Sequence, residues 1–328
     1  MANEILIAGL LLLLVGSEVA MRGGVGLARA FDFSPLWMGV LVIATLTVAP
    51  ELFVALRAAA TGAPELALGS LIGTNIINLL FVMGLGALIH PMASPPKVVF
   101  RDGGAMLLAS LALVFCAFTG TVSREVGAAM LAAFVAYIAL GVVSDWRRTP
   151  DHSVPQARAL YRTHGEIPSI IGSSSMFVIG LIVIALGAHF SVLGSVVFAR
   201  NWGWPATTVA LTILAAGLSL PKLFVTLVGA ARGQSGIAVG QLLGAGVFNL
   251  LGVLGLTAVV APFAFPRAFA TLDVYVLVGA SAVLLPLLAM RWRLSRPRGI
   301  LLIIAYGCYL AHVLWRMGLI PDRLPWGF

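Results

Sequence analysis

The sequence predicts an all-α polytopic membrane protein with ten transmembrane helices arranged as two five-helix repeats of inverted topology. Three observations lead there. Of 328 residues, 60% are hydrophobic and 10% charged, with a mean hydropathy of +1.06. A soluble domain carries about 25% charged residues, so an ordinary water-soluble enzyme is excluded. Apolar runs recur at the length that crosses a bilayer, about 20 residues each. The second half of the chain also repeats the first.

The runs fall at about 5–29, 36–58, 67–90, 102–120, 124–143, 169–199, 206–229, 237–261, 271–290 and 299–316. The first follows Met1 without a charged leader or a small-residue cleavage site, so it reads as a helix and not as a signal peptide. The second and seventh each contain a proline, Pro50 and Pro221, while the third and eighth carry small residues at helical spacing. The only long polar segment, 144–168, holds Asp145, Arg147, Arg148, Asp151, Arg158, Arg162 and Glu166. It divides the chain into a first repeat (1–143), a cytoplasmic linker (144–168) and a second repeat (169–328).

Basic residues orient the spans. With both termini on one side, that side holds about six Lys and Arg (Arg57, Arg124, Arg200, Arg267, Arg316, Arg323) and the other about thirteen, so the termini are expected outside the cell's inner membrane and the linker in the cytoplasm. The net charge of +8 follows from this use and implies no nucleic-acid partner; lipid and small cations are the expected partners. Nothing in the sequence sets an oligomeric state. Cys116 and Cys308 lie inside apolar runs without metal-ligand or disulfide spacing and read as packing residues.

A shift of 171 residues aligns Gly16 with Gly187, Pro50 with Pro221, Gly69 with Gly240, Gly73 with Gly244, Asn78 with Asn249 and Pro91 with Pro262. Between 39–91 and 210–262, about 21 of the 53 aligned positions are identical without a gap, and the register of Gly, Pro and Asn marks a true duplication. Five spans per copy make the second enter the membrane from the opposite face. Secondary transporters use this inverted repeat to place a substrate site at the midplane.

Each proline removes a helix hydrogen bond and frees carbonyls around Ala44 to Thr47 and around Ala215 to Leu218. A neighbouring side chain or water can satisfy them, or they can ligate a cation. Glu51 follows Pro50, and an intramembrane carboxylate costs about 2.5–3.5 kcal/mol to place centrally, which favours function. Most of the glycines read as packing devices. Asn78 and Asn249 differ, because a midplane amide needs partners and its oxygen can ligate a hard cation.

The paired segments "ATLTVAPELFVAL" with "AAGLSLPKLFVTL", and "GSLIGTNIINLL" with "GQLLGAGVFNLL", resemble the two alpha-repeats of the sodium/calcium exchanger (calcium/cation antiporter) superfamily. The usual forms there read roughly G-T-S-A/L-P-E and G-S-N-I-F-N/D, and the likeness covers almost the whole chain, including "GSEVAMRGG" in the first helix. The resemblance implies a cation transporter working by alternating access, in which the first and sixth helices slide and polar residues around each proline bind sodium and calcium in turn. The cation-site candidates carried over are Thr47, Glu51, Thr74, Asn78, Ser219 and Asn249, with Asn75 beside them. Transported ions are calcium, sodium or proton; no cofactor and no enzymatic activity are implied.

The departures concentrate at the site. Val48 stands for a serine, Leu218 for a threonine, Ala245 and Gly246 for a Ser-Asn pair, and Lys222 for the second glutamate. Two carboxylates suit a divalent ion, whereas Glu51 with Lys222 sums to zero. At about 4 Å and an effective dielectric near 20, an ammonium opposes a divalent ion by roughly 8 kcal/mol. Lys222 either pairs with Glu51 as a tethered substitute for a bound cation, or swings or exchanges its proton during transport. The expected function is a secondary cation transporter of altered ion coupling; the alternative is a transport-inactive or regulatory homologue held by that pair. Glu18 and Arg22 are expected to pair at i,i+4, His189 to be structural, and Asp102 and Asp273 to cap the fourth and ninth helices.

Overall fold

A computed structural model describes residues 2–31, 44–93, 96–146, 169–231 and 235–316. Its long helices are α1 (Ala2–Ala30), α2 (Ala49–Ala60), α3 (Pro64–Ile89), α4 (Pro96–Thr119), α5 (Arg124–Trp146), α6 (Ile170–Trp202), α7 (Ala206–Ala231), α8 (Ala238–Val260), α9 (Asp273–Ala289) and α10 (Arg296–Trp315). The expected spans match within a few residues, except α4, which begins about a turn and a half early. The start of the second run and most of the polar linker lie outside the described residues. Local signals set several ends: the Ser169 side chain accepts the Gly172 N–H at 3.1 Å to open α6, and Gly120 (φ +71°) and Gly203 (φ +66°) close α4 and α6 in the left-handed region.

The core sits on α3 and α8, where 78% and 67% of the most apolar stretch is buried, against 17% in α5 and 22% in α10. Outer helices turn Phe115, Val135, Ile179 and Ile304 outward, as lipid-facing surfaces do. Antiparallel α1 and α6 pack backbone to backbone through glycine. A β-carbon on Gly187 would stand 2.7 Å from Leu13 N, and one on Gly16 2.8 Å from Ile184 N. These two contacts are images of each other under the 171-residue shift; so are Gly9 on Ser191 with Gly180 on Ala20, and Gly23 on Phe177 with Gly194 on Leu6. The pair therefore straddles a pseudo-two-fold axis in the plane of the membrane.

The halves are interwoven. Gly84 of α3 meets the Gly299 carbonyl of α10, and Gly255 of α8 meets the Gly127 carbonyl of α5. Two short antiparallel bridges repeat the pattern: β1 (Met92–Ala93) with β4 (Arg293–Leu294) on one face, and β2 (Thr121–Val122) with β3 (Phe263–Ala264) on the other. Each joins loops that alternate topology puts on the same side. Arg296 donates to the carbonyls of Leu88 (3.1 Å) and Ile89 (3.3 Å) at the end of α3, so this basic residue caps a helix as well as marking a loop.

Two expectations need correction. Asp102 does not cap its helix, whereas Asp273 lies in the first turn of α9 as expected but is held by partners from α10. Asp102 lies inside α4, in a π-helical turn (Val99–Gly103), and accepts from Tyr137 Oη at 2.9 Å and Arg101 Nε at 2.6 Å. Asp273 opens α9, but its carboxylate accepts from Tyr309 Oη (2.9 Å) and an Arg316 Nη (3.3 Å), with no bond to its own helix N–H groups. A buried carboxylate is served better by charged and hydroxyl donors than by a helix end alone. Cys308 is exposed, so only Cys116 is a packing residue. Glu18 and Arg22 pair as expected, at 2.7 Å.

Candidate cation site

The two proline helices differ. Before α2, a single turn (Thr45–Thr47) ends at Val48, and α2 restarts at Ala49 with Pro50 in its first turn, where the missing N–H is harmless. Glu51 thereby lies at a helix N-terminus, whose partial positive charge suits a carboxylate. Pro221 instead sits inside a continuous helical segment (Ala215–Ala231), so Lys222 has no such terminus. Thr74 Oγ1 of α3 donates to the carbonyl of Ala215, six residues before this proline, at 3.5 Å.

Lys222 Nζ donates to Glu51 Oε1, and both side chains are fully buried. Their separation of 171 residues equals the repeat offset. A residue that touches its own repeat counterpart must lie on the pseudo-two-fold axis, so this buried ion pair sits on that axis. The second carboxylate oxygen, Glu51 Oε2, has no hydrogen-bond partner among the described residues.

Further buried oxygens are orphaned in the same way: Asn78 Oδ1, Asn249 Oδ1, Asn75 Oδ1, Ser219 Oγ and Thr226 Oγ1. Unsatisfied buried oxygens are uncommon and point to a ligand. Asn78 and Asn249 occupy matching places in π-helical turns, Ile77–Val82 and Phe248–Val253, and such turns recur where helices serve function. Thr47 is half-buried in the turn before α2, Ser219 is buried one turn from Lys222, and Thr74 is buried against α7. The site candidates are thus buried or half-buried, and Glu51 and Lys222 are in direct contact. Hydropathy reading passed over Thr226, a threonine in an apolar run; its signal was its place one turn beyond Lys222. Among the described residues no group of three His, Cys, Asp or Glu side chains could hold a metal, so the site offers one carboxylate and several neutral oxygens. That donor set fits a weakly held cation better than a tight divalent one.

The sodium/calcium exchanger protein family model matches residues 4–143 and 173–315, which covers most of both repeats and omits the whole polar linker. The putative antiporter CaxA of Alkalimonas amylolytica is 30% identical, over 93% of this chain and 96% of that protein. The inner membrane protein YrbG of Escherichia coli (strain K12) is 31% identical, over 96% and 97%. Among solved structures, the sodium-calcium exchanger NCX_Mj superposes with a TM-score of 0.62 at 27% identity, covering 94% of this chain and 97% of that one. With its duplicated proline helices, its inverted five-helix halves and a family match across both, the chain belongs to the sodium/calcium exchanger protein family.

Proposed function

We propose that the protein is a secondary cation transporter working by alternating access, with its ion coupling altered by Lys222. The observation that carries this reading is the buried Lys222–Glu51 ion pair at the centre of an exchanger fold. The ammonium takes the place of one bound cation, and Glu51 Oε2, Asn78, Asn249, Ser219, Thr47 and Thr74 supply oxygens for another. A monovalent ion about 4 Å from the ammonium meets roughly 4 kcal/mol of repulsion at an effective dielectric near 20, and a divalent ion twice that, so weak divalent binding is the expected consequence.

Reconstituted protein tests it. Wild type should move calcium, sodium or protons down an imposed ion gradient, and Lys222→Glu should raise calcium uptake and calcium affinity by about tenfold or more, because it rebuilds a carboxylate pair. The ion pair itself also favours a second reading, a transport-inactive homologue locked by Glu51 and Lys222. Absence of wild-type flux under every gradient, with flux appearing in Lys222→Glu, would select that reading. No calcium gain in Lys222→Glu would remove the pair from the cation site.

A further inference from the structure

The helices around the central pair do not obey the two-fold. Val54 on α2 is 0% exposed, whereas its counterpart Val225 on α7 is 50% exposed. A β-carbon on Gly73 of α3 would meet Ala215 Cβ of α7 at 2.7 Å. Equivalent positions such as Val54 and Val225 thus sit in different environments. In an inverted repeat, the opposite conformer is obtained by exchanging these two environments between the halves.

The Glu51–Lys222 contact is the exception to that exchange. Because it joins equivalent positions on the axis, swapping the environments of the halves returns the same contact. It can persist in both conformers and needs no breakage between them. Its charge is also balanced: one carboxylate, one ammonium, both buried. Two carboxylates at these positions would leave uncompensated charge in a low-dielectric centre and bar the switch until cations arrive. That bar is what ties one ion's movement to another's.

We propose that the on-axis Glu51–Lys222 pair lets the ion-free protein change conformer, so that the transporter carries cations in net flux without an obligatory counter-ion. This rests on the cation-transport reading above. It adds that exchange is optional, and it assigns Lys222 the role of the returning charge.

The test uses full-length protein with Cys116→Ala and Cys308→Ser, spin-labelled at Arg124→Cys on α5 and Arg200→Cys on α6, both exposed positions away from the centre. Distances are measured in choline buffer without sodium, potassium or calcium. In parallel, efflux of sodium and of calcium from loaded proteoliposomes is followed into choline medium and into medium containing the ion. The expected result is two distance populations in choline and net efflux within about threefold of the exchange rate. In Lys222→Glu, one population should remain until sodium or calcium is added, and efflux into choline should fall about tenfold or more. The double variant Glu51→Lys with Lys222→Glu, which rebuilds the pair in reverse, should recover both populations and guards against a single variant that fails to fold. A single wild-type population in choline, with efflux only into ion-containing medium, would overturn the proposal and leave cation transport standing. Absence of flux in both media would instead remove the transport reading, and net flux with it.

Discussion

At the residue scale, Glu51 and Lys222 hold one another in place, and neither tolerates loss of its partner. Removing one member of a buried ion pair strands a charge and costs about 3–5 kcal/mol, whereas replacing both with neutral groups of similar size costs far less. Lys222→Ala should therefore lower the Tm in detergent more than the double variant Glu51→Gln with Lys222→Met does, a comparison that thermal unfolding by intrinsic fluorescence can make. The tyrosine–aspartate bonds make a milder case. Tyr137→Phe removes one donor from Asp102 and leaves Arg101, so a loss of about 1–3 kcal/mol is expected in the same assay. The central pair was legible in the sequence, because a 171-residue shift places Lys222 opposite Glu51 before any coordinates exist. The tyrosine bonds were not. Tyr137 and Tyr309 depart from the repeat register by one residue, and each carboxylate also stood at a plausible helix start.

Among the elements, the α1–α6 contact has the least slack. Its glycines stand where any side chain would enter the backbone of the facing helix. Gly187→Leu is expected to push the helices apart at a cost of about 1–3 kcal/mol or more. A β-carbon on Gly279 of α9 would meet nothing within 4 Å among the described residues, so Gly279→Ala should leave the Tm unchanged or raise it. Thermal unfolding of the two variants side by side checks the contrast, and a similar Tm for both would refute close packing. Hydropathy located these elements well, since lipid imposes both length and composition on a span. It was silent on how each helix is interrupted. Pro50 and Pro221 look alike in sequence, yet one begins a helix segment and the other lies inside one. Nor do the π-helical turns at Asn78 and Asn249 have a compositional signature.

On the scale of the whole molecule, the distribution of arginine makes a topological claim that labelling can check. A membrane-impermeant thiol reagent applied to intact cells should modify Arg200→Cys at the end of α6 and leave Arg293→Cys in β4 unmodified until the cells are opened. The reverse pattern would invert the orientation of the entire chain. The interwoven halves bear on how the protein is made. Gly84 of α3 finds its partner on α10, which is synthesised long after it, and Gly127 of α5 waits for α8. The first five helices thus enter the bilayer with faces that nothing yet covers, and remain so while the second five are translated. Emergence of α10, not insertion of each earlier helix, is the moment at which α3 can close this part of the core.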